Sequence, residues 1–234
     1  MRNARRAIPL LLAVVAAALL PASASGDRQT FLSTTDLYGT GGALTEGPAD
    51  PYPSDINVTG LSGTVTKVAA TVLGTNSGHP QDLEIGLTGP NGRTVMLASD
   101  ACGGSQTGAD WLIDDDAQTF LPAGGDCGGV NDGVFKPSNY GDPALDDFSL
   151  FSDGPPPPYL NALSFLAGGT PNGAWRLWFV DDGPGFFAGI GGWALHLEVN
   201  PPVTVKKPRK CKKRKRGAKR TARKKRCKKA KKKR

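Results

Sequence analysis

"DLEIGLTGPNGRTVML", residues Asp82–Leu97, decides the fold class. Leu83, Ile85 and Leu87 alternate with Asp82, Glu84 and Gly86. Neighbouring side chains of a strand point to opposite faces, so a period of two predicts a half-buried β-strand. Its acidic side would face solvent. "GPNGR" follows at Gly89–Arg93. Pro presets φ and Asn-Gly accepts the positive φ of primed turns, so this is a hairpin turn. "TVMLA" then runs back from it.

The same signal recurs on both sides. "INVTG" begins it at Ile56. "VTKVAATVL" places Val65, Val68, Ala70 and Val72 near one face, with one irregularity. "AWRLWFV" puts Trp175, Leu177 and Phe179 together. "GWALHLEV" puts Trp193, Leu195, Leu197 and Val199 on one face and Ala194, His196 and Glu198 on the other. No sustained helical period appears, and 31 Gly with 19 Pro suit many turns. Short antiparallel strands with regular turns predict an all-β fold, a β-sandwich or a jelly roll, followed by a disordered polybasic C-terminal tail. Residues 99–160 interrupt the alternation as a long polar excursion containing "DDDA" and "GPPPP".

The ends of the chain carry different instructions. Arg2, Arg5 and Arg6 precede an apolar run from Ile8 to Leu20, and "ASA" follows at Ala22–Ala24. That layout is a secretory signal peptide over residues 1–24. The run is shorter than the ~20 residues of a membrane span. The expected mature chain is exported, with no transmembrane span. Residues 25–53 read as a lead-in with one short strand near Phe31, residues 54–201 as the sandwich and residues 202–234 as the tail.

The net charge of +8 conceals a division. Five basic side chains (Arg28, Lys67, Arg93, Lys136, Arg176) share the body with all 21 acidic ones, leaving it near −16. Residues 206–234 contain 21 Lys or Arg and no acid. Such a split points to a tail that binds polyanions. The tail has no Phe, Tyr or Trp and no Asn or Gln. It therefore lacks stacking platforms and base-reading amides. What remains is charge: Lys212, Lys213, Arg214, Lys215, Arg216, Lys224, Lys225 and Arg226 would bind by counterion release, weakly selective and salt-sensitive. The expected partners are anionic cell-envelope or matrix polymers, with nucleic acid bound only non-specifically.

Outside the cytosol an even cysteine count suggests disulfides. Cys102 and Cys127 lie in the body, Cys211 and Cys227 in the tail. Three pairings are open, and the simplest is local, 102 with 127 and 211 with 227. Zinc is disfavoured because no C-x-x-C occurs and only His79 and His196 are available.

Motif order carries a family resemblance. The family pattern sets a His before Asp-Leu, a strand, then a Pro–small–Gly turn; here these are His79, Asp82, Leu83, Pro90 and Gly92. Its closing pattern, Gly-x-Trp-x-Leu, an acidic turn, Gly and a final Trp-x-Leu strand, falls on Trp175, Leu177, Trp193 and Leu195. "DWLIDDDAQTFLP" and "FKPSNY" resemble the bacterial branch. Over most of Tyr52–Val199 the chain resembles a P domain, or P/Homo B domain, of the kind that follows the subtilisin-like domain of furin- and kexin-type convertases. The resemblance implies a jelly-roll sandwich without catalytic residues that supports a protease domain. Only the signal peptide and lead-in precede Tyr52, so direct protease activity is not expected, and any protease partner would be a separate chain.

The residues agree on chemistry. A Ser-His-Asp site needs a His between nucleophile and acid. His79 sits at a family position before a strand, and His196 alternates with core residues. No G-x-S-x-G elbow occurs, and "GGSQTG" has no helix after it. No cofactor is required. Structural calcium is the one metal with suitable ligands, the carboxylates of Asp114, Asp115, Asp116, Asp181 and Asp182. The expected function is a secreted, non-catalytic interaction or stabilising module held at an anionic polymer by its tail. The alternatives are a proteolysis component and an extracellular nucleic-acid binder.

Overall fold

The computed structural model describes residues 27–39, 46–124, 127, 132–141, 146–151, 153–185 and 187–201. The expected signal peptide, the eight expected polyanion-binding positions of the tail, and the expected Cys211–Cys227 pairing lie outside these residues.

Fourteen strands form among the described residues. They are β1 (Asp27–Ser33), β2 (Leu37–Gly39), β3 (Gly47–Asp50), β4 (Ser54–Val58), β5 (Thr64–Ser77), β6 (Leu83–Thr88) and β7 (Thr94–Ser99). They continue with β8 (Gln106–Ile113), β9 (Thr119–Phe120), β10 (Gly133–Lys136), β11 (Ser138–Asn139), β12 (Gly173–Asp181), β13 (Ala188–Ile190) and β14 (Gly192–Asn200). Among the described residues no helix is long and apolar enough to cross a membrane.

The all-β sandwich expected from the alternation is present. One sheet runs β1–β14–β5–β8–β10–β9, the other β4–β12–β6–β7–β11, with β12 pairing both β4 and β6. Short β2 and β3 pair with each other, β2 joining β13 of the first sheet and β3 joining β12 of the second. The two sheets thus approach a closed barrel along one side, which leaves fewer open edges. Between them, Val68, Ala70 and Val72 meet Leu83, Ile85 and Leu87, all buried. Each of these Val, Leu and Ile side chains contributes about 1.5–3 kcal/mol on burial. Trp175 and Trp193 are fully buried yet satisfied, their indole N–H groups donating to the Pro171 carbonyl and the Ser54 hydroxyl.

The irregularity expected in "VTKVAATVL" is a register shift opposite Glu198 and Val199, where Lys67 and Val65 pair and Thr66 is skipped. The shift restores Val65 to the inner face on which Val68, Ala70 and Val72 lie. The hairpin at Gly89–Arg93 closes through the Gly92 N–H to the Gly89 carbonyl, 3.0 Å. Of the Asn91–Gly92 pair, only Gly92 takes a positive φ, 75°. Asn91 instead accepts the Arg93 N–H on its side chain, an Asx contact that fits a turn begun by Pro90.

Three expectations need correction. Residues 25–53 are no mere lead-in with one strand. They supply β1, β2 and β3, and β1 pairs along β14 with Phe31 opposite Leu195. The cause is an edge of β14 whose backbone groups need partners. Residues 99–160 are likewise no uninterrupted loop. β8 pairs with β5, and Ala109, Trp111 and Ile113 enter the core. Finally, β6 and β7 are buried on both faces, not half-buried.

That double burial has a specific origin. Phe148 lies over the outer face of β6, packed with Met96, Trp178 and Val180. The cover is fastened by hydroxyls: Tyr52 donates to the Phe148 carbonyl, and Tyr159 accepts the Phe148 N–H while donating to Pro155. Gly86 makes room, since a Cβ there would stand 2.5 Å from the Phe148 ring.

Candidate functional site

The family-motif residues go mainly to scaffold positions. Leu83, Trp175, Leu177, Trp193 and Leu195 are buried, and Pro90 and Gly92 form the hairpin turn. His79 Nδ1 lies 3.5 Å from Asp82 Oδ2 at the turn leading into β6.

The five carboxylates expected to share calcium divide between two places. Asp114 and Asp116 both bind Lys67, at 2.9 and 2.6 Å. Burial lowers the affinity of the Lys67 amine for its proton, but hydrogen bonds to Asp116 and Asp114 outweigh this and raise its pKa. The Lys67 hydrogen bond and charge hold the Asp116 carboxyl below the usual range. Asp115 instead accepts the Leu163 and Ser164 N–H groups, both at 2.8 Å, and anchors a 3-10 turn. This sharp Asp114–Asp116 turn is therefore already supplied with donors.

Asp181 and Asp182 lie at the end of β12, in different company. The adjacent ends of β6 and β7 bring Asp82, Glu84 and Asp100, and Asp146 arrives from the excursion. Glu84 is 3% exposed and Asp146 is 2% exposed. Backbone pairing sets the frame: Val180 faces Glu84 across β12–β6, and the Asp182 N–H donates to the Asp82 carbonyl at 2.8 Å. Ser99 donates to Asp100 at 3.2 Å.

Burial, then the nearby Asp182 charge, pushes the Glu84 carboxyl far above the carboxylate range, and the two groups hydrogen-bond to each other. Burial likewise raises Asp182, against the opposing effect of that bond. Burial and the Asp100 charge raise Asp146 to about 6, opposed by neighbouring Ser99 and Asn139. Neither Asp146 oxygen makes a hydrogen bond of good geometry. Asp181 also rises to about 6 through burial, opposed by the Gly183 N–H. Among the described residues no three His, Cys, Asp or Glu side chains are placed to hold a metal ion.

His196 bridges two hydroxyls, with Thr30 at 3.0 Å and Thr71 at 2.8 Å, where a triad would place a carboxylate on one side. Burial, then the Arg28 charge, lowers its pKa. A surface cleft of about 480 Å³ lies elsewhere, with Phe120, Lys136 and Tyr140 in its wall. The Lys136 amine sits 5.6 Å above the Phe120 ring, and the Tyr140 hydroxyl is spent on the Leu121 carbonyl.

Sequence reasoning missed Glu84, Asp100 and Asp146. A lone acid inside the apolar strand "LEIGLT" was the available signal for Glu84.

No family model matches the chain, and no curated protein matches it. Among solved structures, the chain is similar to the serine protease of Aeromonas sobria at 13% identity and a TM-score of 0.35. That match covers 74% of this chain and 26% of that one. It is also similar to the Aeromonas sobria serine protease in complex with the chaperone ORF2, at 15% identity and a TM-score of 0.32, covering 74% and 26%. The chain thus spans about a quarter of the length of the chains it matches.

Proposed function

We propose that this chain is an exported, non-catalytic β-sandwich of the P/Homo B type. It serves as an interaction or stabilising module, held at an anionic cell-envelope or matrix polymer by its basic tail. The observation that carries this reading is the charge division: 21 Lys or Arg and no acid in residues 206–234, against a body near −16. Like charges so concentrated attract polyanions by releasing their counterions. Neither His79, beside Asp82, nor His196, between two threonines, argues for catalysis.

Cell fractionation of full-length and tail-truncated protein tests the tether. The full chain should stay with the envelope and leave it in high salt, while the truncated chain enters the medium. Equal release of both forms would refute the anchor. Binding of duplex DNA and wall polymer, compared at matched charge and salt, distinguishes the extracellular nucleic-acid reading. A strong preference for DNA would favour that alternative.

A second reading makes the chain an accessory in proteolysis. It is favoured by the order of P-domain-like motifs from His79 to Leu195. Co-purification of a subtilisin-like protease, stabilised by the added chain, would support it. Dibasic-peptide cleavage by the purified chain, abolished by substituting an identified nucleophile, would instead make it an enzyme.

A further inference from the structure

The surface cleft of about 480 Å³ is assembled from separate segments of the excursion and the residues just after it. Phe120 ends β9, Lys136 ends β10, Tyr140 follows β11, and Asn161 precedes the 3-10 turn at Leu163–Leu166. Asp115 completes the wall. The volume falls within the range of about 300–1,000 Å³ for small-ligand sites.

Hydrogen bonds fix this wall without help from a ligand. The Tyr140 hydroxyl donates to the Leu121 carbonyl at 2.6 Å. The Ser138 hydroxyl accepts the Leu121 N–H at 2.9 Å and donates to the Lys136 carbonyl at 2.7 Å. Asp115 ties down the segment after Asn161 by accepting the Leu163 and Ser164 N–H groups. A frame held in this way loses little freedom on binding.

Recognition capacity is left over inside the frame. Phe120 is 54% exposed. Lys136 pairs with it across β9–β10 and rests its amine 5.6 Å from the ring centre. Among the described residues Lys136 makes no ion pair, and the exposed Asn161 amide makes no hydrogen bond. Each Asp115 oxygen accepts one N–H and keeps a second lone pair.

We propose that this cleft binds a neutral pyranose unit of a glycan chain. The C–H face of the sugar lies on the Phe120 ring, whose negative π face attracts weakly positive hydrogens. Its hydroxyls accept from the Lys136 amine and the Asn161 amide N–H, and donate to the Asp115 carboxylate. Other ligand classes match this mixture less well. An anion meets Asp115 beside the single amine, and a cation meets that amine. A wholly apolar ligand strips water from Lys136, Asn161 and Asp115 and returns no hydrogen bond. An extended peptide that adds a strand needs a longer edge than the two residues of β9. A sugar has an apolar face, and each of its hydroxyls both donates and accepts. Such a contact is short-range and salt-tolerant, unlike the counterion-driven binding proposed for the tail.

Titration of the full chain with maltohexaose, cellohexaose and the N-acetylglucosamine hexamer tests the proposal. Calorimetry reads the affinity, and NMR of the asparagine side-chain amides reads the place. At least one of these neutral probes should bind saturably, shift the Asn161 amide signals, and keep its affinity in salt that screens the tail. Phe120→Ala and Asn161→Ala should each weaken binding at least tenfold without moving the melting temperature, since both side chains are exposed. Phe187→Ala, at a ring 60% exposed and outside the cleft, should leave binding unchanged. Absence of saturable binding by all three probes would overturn the proposal. So would binding that survives Phe120→Ala, binding that Phe187→Ala removes, or a preference for a uronic acid oligomer in the same high salt. The probes carry no charge and the tether is read by release from the envelope, so either idea can fail while the other stands.

Discussion

Gly86→Ala and Phe148→Ala together test whether the excursion truly closes the outer face of β6. Alone, Gly86→Ala would push a methyl group to 2.5 Å from the Phe148 ring. Overpacking of this kind costs about 1–3 kcal/mol. Gly86 does not occupy a positive φ, so alanine's smaller loss of chain entropy returns about 0.4–1 kcal/mol. The expected net loss is about 1–2 kcal/mol. Phe148→Ala removes a ring that is 1% exposed and should cost about 3–5 kcal/mol. In the double variant the alanine methyl enters space the ring has vacated, so the Gly86 penalty vanishes and its entropic gain remains. The double variant should then be no less stable than Phe148→Ala, with a coupling of about 2 kcal/mol, inside the range for residues in contact. Guanidinium unfolding of the four proteins measures this. Losses that add within about 0.5 kcal/mol would mean that Phe148 does not sit on Gly86 in solution. The burial of Glu84 and Asp146 would then lose its basis.

Three further predictions follow from single contacts. Substituting Cys102 and Cys127 by Ser opens a closure of separation 25 and should cost about 3 kcal/mol in the chain-entropy model; an unchanged melting temperature would refute that role. Lys67→Met strands the largely buried Asp114, which should cost roughly 1–3 kcal/mol, and should raise the Asp116 titration followed by NMR. The lowered pKa of His196 sets a sign: stability is full above its unfolded pKa of about 6.5 and falls as pH drops through the folded value. His196→Gln should remove that part of the pH slope from a melting series, and identical slopes in both proteins would contradict it.

Much of the fold was legible because alternation is a local signal. The faces of "DLEIGLTG", "AWRLWFV" and "GWALHLEV" follow from a period of two, and the inner residues named from it are buried. The bulge in β5 was legible for the same reason. β8 was also readable, since Ala109, Trp111 and Ile113 alternate, but its polar neighbours masked the pattern. β1 to β3 gave less signal. Backbone pairing with β14, β13 and β12 holds them in the sheets, which composition does not encode.

The candidate site divides along the same line. The sequence by itself determined the charge division, the β class and the presence of many carboxylates. Only tertiary structure decided which carboxylates stand together. In sequence the run Asp114–Asp116 resembles the pair Asp181–Asp182, yet Lys67 satisfies Asp114 and Asp116. Glu84 alternates to the side of β6 that a half-buried strand would give to water. Phe148, 64 positions later in the chain, closes that side and takes the water away. A strand's period says which side chains share a face, whereas the dielectric a carboxylate meets depends on what distant segment covers that face.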